Sequence, residues 1–327
     1  MKFLAKFFVA SALVAGFTVL LVRLWPVPLA EPQLLVRIPA GASLRVAAQT
    51  LQDGGVGAPA WVISTVGRMA GLASSIKAGS YEFDQGLSLW AILRKLSSGD
   101  TSQADLLIVE GASFREIRTK LNAQPALIHT TQDLNDAAIM TRLGLAGQAP
   151  EGWFFPDTYR FDKRSDDLEL LARAHRAMQK QLHTAWAGRE AGLPLQTPYE
   201  LLILASIVEK ETGAAVDRAQ IAGVFINRLR KGMRLQTDPT VIYGLGERFD
   251  GNLRKADLQR DTPHNTYTRN GLPPTPICMP GEASLLAAAH PAKTDALYFV
   301  ARGDGSSQFS ATLDAHNQAV NQFQRGK

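Results

Sequence analysis

Cysteine is all but absent from the chain: Cys278 is the only one among 327 residues. That excludes a disulfide framework and any zinc site built on thiolates. A chain without disulfides suits the cytosol or a bacterial envelope compartment. Charge of one sign is lacking too. The formal net charge of +5 suits an acidic polymer but excludes only a strongly anionic protein. Mean hydropathy close to zero excludes a protein that crosses a membrane many times. There is no Gly-x-Ser-x-Gly elbow, no His-Glu-x-x-His pair, no Gly-rich phosphate loop and no Cys/His cluster. His129, His175, His183, His264, His290 and His316 show no metal spacing. We therefore expect neither a metal nor a cofactor. Basic residues are scattered rather than gathered in a stripe, which argues against nucleic acid as a partner.

What is present begins at the N-terminus. Lys2 and Lys6 precede an uncharged apolar run from Phe7 to Val22, closed by Arg23, Leu24 and Trp25. As a helix the run would be ~24 Å long, enough to span a bilayer core with help from its snorkelling ends. The early lysines favour an N-terminus in the cytoplasm and the rest of the chain outside. The alternative is a cleaved signal peptide. Pro26, Val27, Pro28 and Leu29 offer no small-x-small cleavage site. Residues 1–25 thus read as a transmembrane anchor and 26–33 as a short, Pro-rich extended stem.

Three segments then echo one another: Gly41-Ala-Ser-Leu-Arg45, Gly86-Leu-Ser-Leu-Trp90 and Gly111-Ala-Ser-Phe-Arg115. Each reads as a turn, a serine N-cap (Ser43, Ser88, Ser113) and a short amphipathic helix. Their apolar faces are Leu44, Ala47, Ala48 and Leu51; Leu89, Ile92, Leu93 and Leu96; and Phe114, Ile117 and Leu121. Strands are expected before them at 34–38, 79–83 and 106–109. The pattern predicts an α+β fold. A long helix follows over 166–186, with Ser165 as its expected cap, and a second from Pro198 to about Gly213, apolar from Leu201 to Val208 except for Ser206. A third is expected over 219–231. Gly232–Pro280 is rich in Gly, Pro, Asn, Asp and Thr and reads as a binding region. A strand over 296–301 and a closing helix over 313–323 complete the reading.

Glu209 and Glu211 end the second of these helices, about 200° apart around its axis. Glu211 continues the line of Leu204, Ile207 and Val208, so its carboxyl emerges from an apolar surface, but Glu209 follows Leu201, Leu202 and Ala205, and the face alone does not choose between them. Desolvation at such a surface raises a carboxyl's pKa, and a carboxylic acid still protonated near neutral pH can protonate a leaving oxygen. Either glutamate could instead be ion-paired with Lys210, Arg218 or Arg228. The loops beyond hold planar and bidentate side chains of the kind that grip sugars: Gln236, Asp238, Tyr243, Asn265 and Tyr267. Asp238 and Asn265 could equally organise turns. His264 and His290 could touch substrate. Trp153 and Tyr159 suit a sugar platform or a core.

With Ala205-Ser-Ile-Val-Glu-Lys-Glu-Thr212, Val224-Phe-Ile-Asn-Arg-Leu229, Met233-Arg-Leu-Gln-Thr-Asp-Pro239, Asn265-Thr-Tyr267, Gly271-Leu-Pro-Pro274, His290-Pro-Ala-Lys293 and Glu151-Gly-Trp-Phe-Phe-Pro-Asp-Thr158, the chain resembles the endolytic murein transglycosylases over roughly 34–325. The resemblance implies an inner-membrane, single-pass enzyme with its C-terminal part in the periplasm. It implies a LysM-like α+β subdomain, here 34–104, and an α+β catalytic domain, here 105–327. It also implies lytic cleavage between N-acetylmuramic acid and N-acetylglucosamine in nascent glycan strands. The second Glu of the Glu-Lys-Glu segment, Glu211, is then the catalytic acid and base. Gln236, Asp238, Tyr243, Asn265, Tyr267 and Glu209 are the expected substrate contacts. His264 stands where the family often has Tyr, and Ser307-Gln308-Phe309 lacks a His common before the Phe. Two variants remain: a paired-acid mechanism with Asp238 or Glu209 as second carboxyl, and a non-catalytic peptidoglycan-binding scaffold that recruits cell-wall synthases.

Overall fold

The computed structural model describes residues 16, 20 and 22–325, so the expected anchor lies almost wholly outside the described residues. Among them no helix is long and apolar enough to cross a membrane. The fold is mixed α+β, in two units. One runs to Asp105 and takes in Arg160–Ser165; the other comprises Leu106–Tyr159 and the chain from Asp166 onward.

The first unit contains β1 (Gln33–Ile38), α1 (Leu44–Asp53), α2 (Ala60–Met69), β2 (Gly79–Asp84) and α3 (Leu89–Ser98). β1 and β2 are antiparallel, with Gln33 opposite Asp84 and Ile38 opposite Gly79. Alternation along β1 turns Leu34, Val36 and Ile38 inward. Ser43 and Ser88 cap their helices by accepting from the amides of Val46 and Ala91, each at 3.3 Å. The expected apolar faces of α1 and α3 are buried and meet Tyr81 and Phe83 in one core. α2 is not among the helices expected from the sequence. It starts after Pro59 with no side-chain cap, so no capping signal marks it. Residues 26–33 lie along this unit: Pro26 bridges Ser88 and Leu29 bridges Val56.

From there the chain runs through β3 (Gln103–Leu107), α4 (Phe114–Ala123), β4 (Leu127–Ile128), α5 (Asp136–Arg142), β5 (Thr158–Asp162), β6 (Ser165–Asp166), α6 (Asp167–Gly188), α7 (Pro198–Glu211), α8 (Arg218–Arg230), α9 (Asp238–Leu245), α10 (Lys255–Gln259), α11 (Glu282–Ala289), β7 (Tyr298–Ala301), β8 (Ser307–Ser310) and α12 (Leu313–Val320). β3 pairs with β5, β4 with β6, and β7 with β8. The core of the second unit is the bundle α6, α7, α8 and α11.

Several expectations shift. β3 begins and ends earlier than 106–109, because Val109 already turns: its carbonyl accepts from Ala112 N at 3.2 Å. The cap of α6 is Asp166, which accepts from Leu168 N at 2.7 Å, and Ser165 lies in β6. The loop-rich stretch after α8 contains α9, because Pro239 falls in the first helical turn, where a missing N–H costs nothing. β7 starts at Tyr298, and α12 passes into a π-turn at Asn321–Arg325.

Candidate active site

Helix α7 is built to deliver its last residue. Thr197 caps it by accepting from Glu200 N at 3.2 Å, Pro198 fills the first position, and every residue from Leu201 to Val208 is buried. The helix stops at Glu211, with Thr212 extended. A carboxyl is thereby presented just beyond the buried stretch of the helix.

Thr237 donates its hydroxyl to Glu211 Oε2 at 2.6 Å. That threonine is buried and fixed by two others. Its amide donates to Thr266 Oγ1 at 3.1 Å, and Thr240 donates to its carbonyl at 2.8 Å. Arg228, also buried, comes from α8. Its guanidinium donates to the carbonyls of Leu297 at 2.7 Å, Leu235 at 2.8 Å and Arg234 at 3.2 Å. Burial pushes the Glu211 pKa up, and the negative charge of Asp238 adds to that; the Thr237 hydrogen bond and the Arg228 charge pull the other way. The group is thus a raised acid whose carboxylate form still has a hydrogen-bond donor waiting. One side chain can both give and take a proton.

Of the sequence-selected residues, Asp238, Tyr267 and Gln236 gather here. Tyr267 donates its phenol to Asp238 Oδ1 at 2.6 Å. Gln236 has φ 49°, a left-handed backbone uncommon for a side chain of its kind. Its amide donates to Thr266 O at 3.1 Å and its Oε1 lies 3.5 Å from Arg228 Nη1, while the residue stays exposed. Strain at an exposed polar residue beside a buried acid marks a site worth testing.

The others lie apart. Glu209 leaves α7 on the opposite side and accepts from Gly281 N at 3.0 Å, at the start of α11. Asn265 is 0 % exposed. Its amide donates to the carbonyls of Arg260 at 2.7 Å, Leu258 at 3.0 Å and Asp257 at 3.3 Å, and its Oδ1 accepts from Tyr267 N at 2.8 Å. That is the turn-organising role, with no polar atom left for a ligand. Trp153 stacks on Tyr199 at 5.5 Å, and Tyr159 is buried, donating to Phe155 O at 2.7 Å; both belong to the core. His290 is exposed at the end of α11. Among the described residues no cluster of three or more His, Cys, Asp or Glu could hold a metal ion.

Tyr243, at the far end of α9, faces a cleft of about 800 Å³ lined also by Ser113, Glu116, Lys210 and His264. Glu151, which is not among the residues expected in the site, also lines it. It is 5 % exposed, accepts from Phe114 N at 3.0 Å and has Tyr243 as a hydrogen-bonding neighbour. Burial lifts its pKa to about 7. Its place in the Glu151-Gly-Trp segment, an acid directly before a glycine and an aromatic run, was the available signal. The sequence offers Arg228 only as a possible ion-pair partner of either glutamate, and no local pattern ties Thr237 to Glu211, 26 positions earlier.

A model of the YceG-like family matches residues 36–322. The endolytic murein transglycosylase of Bacillus subtilis is 34% identical over 88% of this chain and 84% of its own length. That of Streptococcus pneumoniae is 27% identical over 97% of this chain and 64% of its own length. A crystal structure of a yceG-like protein from Listeria monocytogenes superposes with a TM-score of 0.56 at 32% identity, covering 88% of this chain and 99% of that one.

Proposed function

The chain belongs to the YceG-like family, and from that premise and the setting of Glu211 we propose that it is an endolytic murein transglycosylase acting on peptidoglycan glycan strands. The observation that carries the chemistry is the raised Glu211 carboxyl at the end of a buried helix, with Thr237 at 2.6 Å.

Protonated Glu211 donates to the glycosidic oxygen while the bond to the anomeric carbon of N-acetylmuramic acid breaks, releasing the N-acetylglucosamine hydroxyl. The carboxylate, stabilised by the Thr237 hydroxyl, then takes the proton of the muramic C6 hydroxyl as that oxygen attacks C1. A 1,6-anhydro end forms, the proton is recovered, and no water is consumed. The second carboxyl that most hydrolytic glycosidases use has no part to play. Asp238, tied to Tyr267, serves to hold substrate and to keep the Glu211 pKa high. Gln236 and Tyr267 contact the sugar beside it. Residues 1–25 anchor the protein in the inner membrane with the remainder in the periplasm. Residues 34–104 form a LysM-like module that docks on glycan, and peptidoglycan synthases are the fitting protein partners.

Glu211→Gln is nearly isosteric, so folding and glycan binding should persist while cleavage of uncrosslinked glycan falls by at least ~10²-fold, the low end of what one proton transfer contributes. Glu209→Gln is the matched control and should cost little, since an amide oxygen can still accept from Gly281. Mass spectrometry of the products should show anhydro ends. Reducing ends would mean hydrolysis, and a Glu211→Gln protein that still digests glycan would overturn the assignment.

A further inference from the structure

The apolar run of the sequence ends at Val22, and the chain is fastened to the first unit almost at once. Val27 N donates to Leu87 O at 2.9 Å, Ala30 N to Gly55 O at 2.9 Å, and Gly57 N to Pro28 O at 2.8 Å. The approach is close: a Cβ on Gly57 would lie 2.7 Å from Pro28 O. Only Arg23, Leu24 and Trp25 separate the run from the first bridge at Pro26. Three residues reach at most ~10 Å, comparable to the headgroup zone on one side of a bilayer. No free stem holds the unit away.

At that junction lies a groove of about 610 Å³, its walls drawn from Val22, Trp25, Pro28, Pro59, Val62 and Leu89. Helix α2 begins beside it and turns Trp61, Thr65, Arg68 and Met69 outward, at the i, i+4, i+7 and i+8 spacing of one helical face. Trp61 is 72% and Met69 82% exposed, and Trp25 is 69% exposed. Arg23 stands 5.1 Å over the Trp90 ring. Exposed tryptophans are enriched at membrane–water interfaces, where their amphipathic rings sit at headgroup level. Trp25, Trp61 and Met69 are large apolar side chains left on the surface of this unit.

We propose that this face of the first unit, from the groove at Trp25 to Trp61 and Met69 on α2, rests on the lipid surface of the membrane from which residues 1–25 emerge. The inference rests on reading those residues as an anchor. The occupant of the groove is the headgroup–acyl boundary, and the unit sits flush with the bilayer. Glycan held by this unit would therefore be held next to the membrane.

Full-length protein, reconstituted in phosphatidylethanolamine/phosphatidylglycerol vesicles, tests this with an environment-sensitive fluorophore placed by Trp61→Cys, Met69→Cys or, as reference, Val216→Cys. Val216 is 79% exposed in the second unit. Cys278 is buried and stays unlabelled. At 61 and 69 the emission should shift to the blue on reconstitution and be lost when the vesicles carry brominated lipid, with the label at 216 behaving as in water. Vesicle flotation scores the anchor separately. Protein that floats while both labels remain water-like and unquenched overturns the docking face and leaves the anchor standing. Protein that does not float overturns both.

Discussion

A glutamate is a strong acid or a weak one according to what surrounds it, and this chain holds two cases. Glu211 and Glu151 are both pushed up by burial, and each has groups that favour its ionised form: the Thr237 hydroxyl and the Arg228 charge for Glu211, the Phe114 amide and the Tyr243 hydroxyl for Glu151. The raised pKa of Glu151 couples its titration to stability. Below about pH 4.5 it is neutral in folded and unfolded chains alike. Between there and about 7 the unfolded chain ionises first, so the folded state loses stability as pH rises, and the loss is complete above the folded value. A shift from 4.5 to about 7 corresponds to about 3 kcal/mol. Glu151→Gln cannot ionise and can still accept from Phe114 N. Thermal or urea unfolding should find it close to wild type at pH 4 and more stable by up to about 3 kcal/mol at pH 8.5. Equal pH dependence in the two proteins would show that Glu151 is not the titrating group. At this scale the sequence was half legible. Leu204, Ile207 and Val208 mark the apolar face that Glu211 continues, but its partner Thr237 comes 26 positions later and obeys no local pattern. Asn265 misleads because a bidentate amide serves three carbonyls as well as it would serve a sugar.

Elements with their own signals were readable: α1, α3 and α4 each carry a serine cap before a clean apolar face. Those whose ends are completed by distant residues were not. α11 starts at a glycine whose amide is satisfied by Glu209, 72 positions earlier. α8 shows the reverse, a helix whose sequence looks suboptimal until its neighbour is considered. Gly223 lies in its middle, where alanine would ordinarily favour the helix by about 1 kcal/mol. A Cβ there would meet Ala292 O at 2.6 Å and Thr294 Cγ2 at 2.9 Å. That same stretch is bound to the helix by Asn227, which donates to Thr294 O at 2.7 Å and Ala296 O at 3.1 Å. Gly223→Ala must push the strand-side segment away or move the helix that carries Arg228. We expect a loss of about 1–3 kcal/mol, with lower cleavage activity in the folded fraction. Gly188→Ala, at the end of α6 with only His290 Nε2 at 3.9 Å, should be neutral or slightly stabilising. Denaturant midpoints of the two variants decide the matter, and a Gly223→Ala protein as stable as wild type would mean that the close approach is not maintained in solution.

At the scale of the whole molecule, the proposed chemistry and the proposed glycan docking fall in different units. Among the described residues, the side chains that hydrogen-bond or charge Glu211, namely Thr237, Asp238 and Arg228, come from the second unit. The hydrophobic cluster beneath them runs from Met178 to Ala289. The first unit has a core of its own, from Leu34 to Leu96. The short segment Arg160–Ser165 belongs with it, because Lys163 pairs with Glu82 at 2.6 Å and its carbonyl accepts from Ser80. Removing residues 34–104 alone would strand that segment, so the informative deletion also replaces 160–165 with a short Gly/Ser turn. The remaining protein should fold and should still cut uncrosslinked glycan. Its rate should fall by less than ~10²-fold, the smallest loss expected from removing a proton-transfer step, because the acid and its supports are intact. What should change is the distribution of product lengths, since contacts that register the strand relative to the cut are gone. Chromatography of anhydro-ended products from the intact and shortened proteins measures this. Complete loss of cleavage in a shortened protein that still unfolds cooperatively would refute the division of labour, and an unchanged length distribution would remove the first unit from any part in choosing where the strand is cut.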